Sequence, residues 1–228
     1  MYVLGFLAAY FLMGVQKGAH RLGLQGKLLQ DLIFYMALGL VVGARLGYVL
    51  FYQFANLGYY LQHPIEIIAV WHGGMSFHGG FIGVVLASIL FCRVHKLPFL
   101  QLADVVIVTA PVGLFFGRMG NFINGELYGR ATSVPWAMIF PSSPGVPRHP
   151  SQLYEAGLEG VVLFLVLWML KDRINRPGAL VALFLAGYGA MRFVVEFFRE
   201  PDAHIGLFMG LLSMGQFLCL GMILAAGL

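Results

Sequence analysis

Charge is scarce in this chain. Only 11% of its 228 residues are Asp, Glu, Lys or Arg, against about 25% in a soluble domain, and a separate soluble domain has no room. Cysteine is nearly absent: Cys92 and Cys219 lie far apart in apolar runs, a pattern that supplies neither a disulfide framework nor a thiolate metal site. The four aspartates, Asp31, Asp104, Asp172 and Asp202, are dispersed. Enzymes that move phosphatidyl groups from a cytidine-activated lipid need strings of helical aspartates around a divalent metal, so that class is disfavoured. His72, His78, His149 and Glu126 are scattered, and no helical His-x-x-x-His or Glu-x-x-His pair exists, so no metal site is expected. No basic region precedes the first apolar run and no small-residue cleavage site follows it, so no cleavable signal peptide is expected. No internal repeat is visible, which counts against an inverted-repeat transporter.

What fills the chain instead is apolar: 60% of residues, together with 30 glycines. Apolar runs fall at 2–15, 32–54, 79–92, 102–117, 154–170, 178–198 and 206–227. A bilayer span needs roughly 20 such residues. The expected fold is therefore all-α: one polytopic transmembrane domain over residues 1–228, with seven helices. Lys17, Arg21 and Lys27 follow the first run, Arg93 and Lys96 the third, and Lys171, Arg173 and Arg176 the fifth. If those loops face the cytoplasm, the N-terminus lies outside and the C-terminus inside. The loop at 55–77, on the opposite side, has no Lys or Arg. The polar loop region around 118–153 breaks the rule with Arg118, Arg130 and Arg148, which sit among glycines and asparagines and need another reason to be there.

Charge at bilayer depth costs about 2.5–3.5 kcal/mol on insertion scales and is usually retained for pairing or function. Arg45, His78, Arg118, Glu126, Tyr188, Arg192, Glu196 and Arg199 fall at or near span ends, mostly toward the outer leaflet. Three segments carry all of them but Arg45, and a fourth, at 148–155, is polar as well. In His72-Gly-Gly-Met-Ser-Phe-His78-Gly-Gly80, glycines allow close backbone approach and leave helix-start N–H groups open to an anion; a glycine-rich helix entry with an interfacial histidine explains it equally. Residues 117–130 offer Arg118, Asn121, Asn124, Glu126 and Arg130 between glycines. Arginine forks suit a phosphate and carboxamides suit glycerol hydroxyls, whereas a self-satisfied re-entrant loop would not need two arginines. Residues 148–155 lead into the fifth run, where Glu155 and Glu159 share a helix face; either an Arg148–Glu155 pair or a substrate role fits. Tyr188, Arg192, Glu196 and Arg199 form one helical stripe, readable as an ion-paired helix lock, a headgroup clamp, or both. Arg45 is either a structural partner for an acidic residue or a ligand contact. The Gly206-to-Gly215 stretch reads as small-residue helix packing, and Pro201 as a point where a docking helix is accommodated.

Taken together, the chain resembles the prolipoprotein diacylglyceryl transferase family. Gly-Gly-Met-Ser-Phe-His-Gly-Gly at 73–80, Gly-Arg-Met-Gly-Asn-Phe-Ile-Asn-Gly-Glu-Leu-Tyr-Gly-Arg at 117–130, Arg-His-Pro-Ser-Gln-Leu-Tyr-Glu at 148–155 and Arg-Phe-Val-Val-Glu-Phe-Phe-Arg-Glu-Pro-Asp at 192–202 carry the resemblance. It implies a multi-pass protein of the bacterial cytoplasmic (inner) membrane. It also implies phosphatidylglycerol as donor, a preprolipoprotein signal peptide with its lipobox cysteine as acceptor, and glycerol phosphate as the leaving product. No cofactor and no nucleic acid are implied. Residues matching the family's functional positions are His78, Arg118, Asn121, Glu126, Gly129, Tyr188 and Arg192, with Arg118 as the phosphatidylglycerol-binding arginine. Relatives carry an outward N-terminal segment with a functional tyrosine shortly before the position of Met1; this chain begins at Met-Tyr, and Tyr2 aligns with a different family tyrosine.

The expected chemistry has Arg118 and Arg192 gripping the phosphodiester with help from Tyr188, Gly129 and Arg199. Asn121 and Glu126 orient the headgroup glycerol, and His78 takes or steers the thiol proton. The alternatives are a transporter or channel for an anionic solute, or an inactive, N-terminally truncated family member.

Overall fold

The computed structural model describes residues 1–200, 207, 208 and 212–227. The expectations attached to Pro201, Asp202 and the start of the Gly206-to-Gly215 stretch lie outside those residues. Each of the seven apolar runs is helical over most of its described residues: α1 (Tyr2–Gly14), α2 (Gly26–Tyr52), α3 (Phe77–His95), the consecutive α4 (Phe99–Ile107) and α5 (Ala110–Asn124), α6 (Ser151–Leu170), α7 (Ala179–Val195) and α8 (Met214–Ala226). By length and composition α2, α3 and α6 can each cross a membrane. The α4–α5 pair, bent by 42°, makes a fourth if it is one span. Among the described residues, strands are confined to one antiparallel pair, β1 (Leu207–Phe208) with β2 (Leu212–Ser213).

The chain divides into two compact units, Ala19–Leu102, and Met1–Gly18 with Ala103–Leu228. In the first, α2 and α3 pack backbone to backbone. A Cβ added at Gly39, Gly43 or Gly47 would overlap Gly83 or Gly79 of α3, and the reverse holds for Gly79 and Gly83. Glycines four apart thus clear one face of each helix, which is how helices approach closely where no hydrophobic effect drives them together. The Ser76 hydroxyl caps α3 by accepting the Gly79 N–H at 3.1 Å, and Lys96 closes it in the left-handed conformation at φ 56°. Buried Arg45 is a structural partner of backbone carbonyls. Its guanidinium donates to the carbonyls of Ile67 (3.2 Å), Glu66 (2.5 Å), Gly74 (3.1 Å) and Gly73. It folds the α2–α3 connection rather than pairing with an acid, satisfying carbonyls that irregular chain leaves orphaned.

In the second unit, Val108, Leu163, Leu167 and Leu180 form a buried cluster packed by Trp168, Phe184 and Tyr188. This cluster joins the bend between α4 and α5 to α6 and α7. Asp104 on α4 accepts backbone N–H bonds from Gly178 (2.7 Å), Leu180 (3.1 Å) and Val181 (3.1 Å), so a side chain remote in sequence satisfies the orphan donors that begin α7. Pro111 lies in the first turn of α5, and Gly125, at φ 67°, terminates it. Within α6, residues Ala156–Val162 form a widened π turn, a deviation frequent at functional sites.

Candidate active site

Three elements of the second unit bring their charges to one place. Arg118 lies in the last turns of α5, so this part of the polar region expected as loop is helical. Arg192 lies in the last turn of α7, and Arg199 follows shortly after that helix ends. All three guanidiniums converge on Glu155 of α6. Its Oε2 is 2.5 Å from Arg118 Nε and 3.2 Å from Arg192 Nη1, and its Oε1 accepts from Arg199 Nη1 at 2.6 Å. Glu159, in the π turn, lies 3.8 Å from Arg192 and 4.0 Å from Arg118. Glu196 pairs with Arg192 at 2.9 Å and with Arg199 at 3.6 Å. Ser213, at the start of α8, fixes Glu196 by donating its hydroxyl to Oε1 at 3.0 Å.

Glu155 and Glu159 are wholly buried, while the three arginine side chains retain 14–19% exposure. Glu155 and Glu159 thus lie deepest in the cluster, and the arginine side chains and Glu196 are its partly exposed members. Burying one such charge alone would cost several kcal/mol; mutual pairing offsets that cost, and removing a single partner exposes it again.

Beside the cluster, the end of α5 holds a second polar group. Glu126 Oε1 accepts from the carboxamides of Asn121 (2.9 Å) and Asn124 (3.3 Å). These three residues, with Met1, Gly117, Gly120 and Ile123, line a recess of about 310 Å³. Their remaining oxygens and N–H groups are the kind that hydroxyls bind. The start of α6 is fastened to this turn, because Gln152 Nε2 donates to the Glu126 carbonyl at 2.7 Å and the Ser151 hydroxyl to that of Leu127 at 3.2 Å. Gly129 is buried where two chain segments cross. Its N–H donates to the His149 carbonyl at 2.8 Å, and an added Cβ would lie 2.9 Å from His149 and against the Phe198 carbonyl. Only glycine fits there. Next to it, the Arg130 N–H donates at 2.9 Å to that same Phe198 carbonyl, and its Nε to the Arg199 carbonyl at 2.7 Å, so this strap holds Arg199 in place.

The sequence-expected residues of this unit therefore assemble: Arg118, Asn121, Glu126, Gly129, Arg192 and Arg199. Tyr188 lies one turn before Arg192 and stacks on Phe184 with ring centroids 5.7 Å apart. The Arg148–Glu155 pair does not form. Arg148 is held by Glu200, Ser143 and the Gly129 carbonyl, because it pairs through its backbone with Met138 and Ala131 while Glu155 points into the cluster. His78 belongs to the other unit, exposed at the second position of α3 beside the Phe77 ring. The sequence left Glu155 between an Arg148 pair and a substrate role, and it did not single out Glu155 and Glu159 as the common partners of the arginines. Their signal was two carboxylates, four apart, inside an apolar run.

A family model described as prolipoprotein diacylglyceryl transferase matches residues 1–228. A relative from Geobacter sulfurreducens, named phosphatidylglycerol--prolipoprotein diacylglyceryl transferase, is 56% identical over 224 residues, covering 98% of this chain and 85% of its own length. Relatives bearing the same name are 53% identical in Bordetella parapertussis, over 100% of this chain and 87% of theirs, and 48% identical in Desulfotalea psychrophila, over 98% and 84%. A match spanning every motif that builds the arginine cluster and its neighbouring recess leaves one assignment: the chain belongs to the prolipoprotein diacylglyceryl transferase family.

Proposed function

We propose that this protein is a transferase that moves the diacylglyceryl group of phosphatidylglycerol onto the lipobox cysteine of a preprolipoprotein. The observation that carries the reading is the convergence of Arg118, Arg192 and Arg199 on Glu155, with all three arginine side chains partly exposed. Three forks held in one place are suited to a phosphodiester, since each can donate paired hydrogen bonds to its oxygens. In the reaction, the cysteine sulfur attacks the glyceryl carbon and the carbon–oxygen bond to phosphate breaks. The thiol proton goes to a base, and glycerol phosphate departs with the bonding electrons. The arginines stabilise the charge that gathers on the leaving phosphate, the kind of preorganised electrostatic effect that contributes most to many enzymes. Asn121, Asn124 and Glu126 address the two free hydroxyls of the headgroup glycerol.

A thiol with a reference pKa of about 8.5 needs an acceptor to become a nucleophile. We assign that part to His78 on residue type. Single-turnover transfer should slow in His78→Gln with phosphatidylglycerol binding retained; near-normal transfer would remove the assignment. The reading as a whole is tested by incubating the purified chain in vesicles with phosphatidylglycerol labelled in its diacylglycerol and a lipobox peptide. Label should pass to the peptide and remain bound through a thioether. A flux of anionic solute across such vesicles, without transfer, would favour a transporter instead.

As part of the same proposal, the seven apolar segments are the spans of a bacterial inner-membrane protein with its N-terminus outside. Donor lipid and acceptor signal peptide then both arrive laterally from the bilayer.

A further inference from the structure

The three arginines of the cluster are matched by three carboxylates, yet these do unequal work. Glu155 hydrogen-bonds or pairs closely with all three guanidiniums, and Glu196 is fixed by Ser213. Glu159 makes only the longest ion pairs of the cluster. It is wholly buried, neither of its oxygens has a hydrogen-bond partner among the described residues, and its nearest guanidinium nitrogens are 3.8 and 4.0 Å away. A buried carboxylate in that condition is costly, and a neutral side chain of the same size would pack there without the cost. Why a carboxyl group rather than an amide stands within 4.0 Å of both Arg118 and Arg192 is therefore what needs explaining.

The chemistry supplies a reason. The donor phosphate is a diester with one negative charge. Once the carbon–oxygen bond breaks, it becomes a monoester, which carries between 1.5 and 2 negative charges near pH 7. Guanidiniums strong enough to hold the monoanion would hold the dianion more tightly still, and the site would stall with product bound. A fixed anion behind the guanidiniums offsets their field, and it does so in proportion to the ligand's charge.

We propose that Glu159 is a release-tuning residue: its charge lowers the hold of Arg118 and Arg192 on the phosphate monoester, so that glycerol phosphate leaves. Glu159 acts through the two arginines rather than on the substrate. This rests on the transferase reading, because it takes the diester and the monoester as the two ligands. At an effective dielectric of about 20 and a separation of about 10 Å, one carboxylate shifts affinity on the order of tenfold for each charge on the ligand.

The test measures binding of two soluble probes, glycerol phosphate and the diester of phosphate with two glycerols, to the full chain in discs of uncharged lipid. Calorimetry at a pH well above the monoester's second ionisation, about 6, keeps the first probe a dianion. In the wild type the dianion should bind within a few-fold of the monoanion. In Glu159→Gln both should bind more tightly, the dianion by on the order of tenfold more than the monoanion, and steady-state turnover should fall more than the single-turnover rate. Glu155→Gln, which loosens all three arginines, should weaken both probes together.

An unchanged ratio of the two affinities in Glu159→Gln overturns the proposal. If that variant does not fold, the wild type decides alone, since a dianion already bound ten times more tightly than the monoanion overturns it as well. Absence of diacylglyceryl transfer by the wild type would instead sink the transferase reading, and calorimetry, needing no turnover, separates the two failures.

Discussion

A guanidinium stays charged wherever it is placed, so one held away from water must find carboxylates or carbonyls. This chain uses both answers. Arg45 is satisfied by four backbone carbonyls and serves the fold, whereas Arg118, Arg192 and Arg199 are satisfied by carboxylates and keep part of their surface open. Arg192→Ala should therefore cost stability as well as activity, because Glu155, Glu159 and Glu196 all lose a partner. Breaking a buried pair costs about 3–5 kcal/mol, visible as a lowered unfolding midpoint in detergent, and transfer should fall by about a hundredfold or more. Arg192→Lys should recover most of the stability and little of the transfer, since a point charge replaces the fork. The stripe of Tyr188, Arg192, Glu196 and Arg199 was legible in sequence because helical spacing fixes which residues share a face. Glu155 as the common partner was not, because periodicity says nothing about which face of another helix lies opposite.

Among the helices, backbone contact and remote capping dominate. Gly43 and Gly83 face backbone across the α2–α3 interface, so Gly83→Leu must drive the helices apart. The expected outcome is a destabilised chain, by at least the 1–3 kcal/mol typical of overpacking, checked by thermal unfolding in detergent. Asp104→Ala should also lower the unfolding midpoint, since it strips the acceptor from three N–H groups at the start of α7. An N-cap residue alone is worth about 0.5–2 kcal/mol, and Asp104→Asn should retain part of it. The existence of these helices could be read from apolar runs. Their ends could not: α5 continues through Arg118 and Asn121 to Asn124, because its stop is set by Gly125 in the left-handed region rather than by a change of polarity. The Asp104 cap escaped the sequence for a similar reason, as its donors lie more than seventy residues away.

For the molecule as a whole, the arrangement of basic residues makes the strongest testable statement. With the N-terminus outside, the loops bearing Lys17 to Lys27, Arg93 with Lys96, and Lys171 to Arg176 face the cytoplasm. Single cysteines placed in those loops of a Cys92→Ala, Cys219→Ala background should resist an impermeant thiol reagent in intact cells, while one placed in the 55–77 connection should react. The opposite pattern would invert the proposed orientation. Composition and loop charge support an expectation of this kind because bilayer thickness and membrane potential act on any chain alike. The division into two compact units, by contrast, depends on contacts between remote segments and left no mark in hydropathy.

The length of α7 has a consequence for the lipid around it. Its 17 residues rise about 26 Å, against a hydrocarbon thickness of roughly 30 Å. As a span, it would be met by a locally thinned leaflet. Such a dimple would draw headgroups down toward the Arg192 end of the helix, and on the proposed reading a donor molecule would then reach the guanidiniums by sliding sideways, with little of its acyl chain lifted into water.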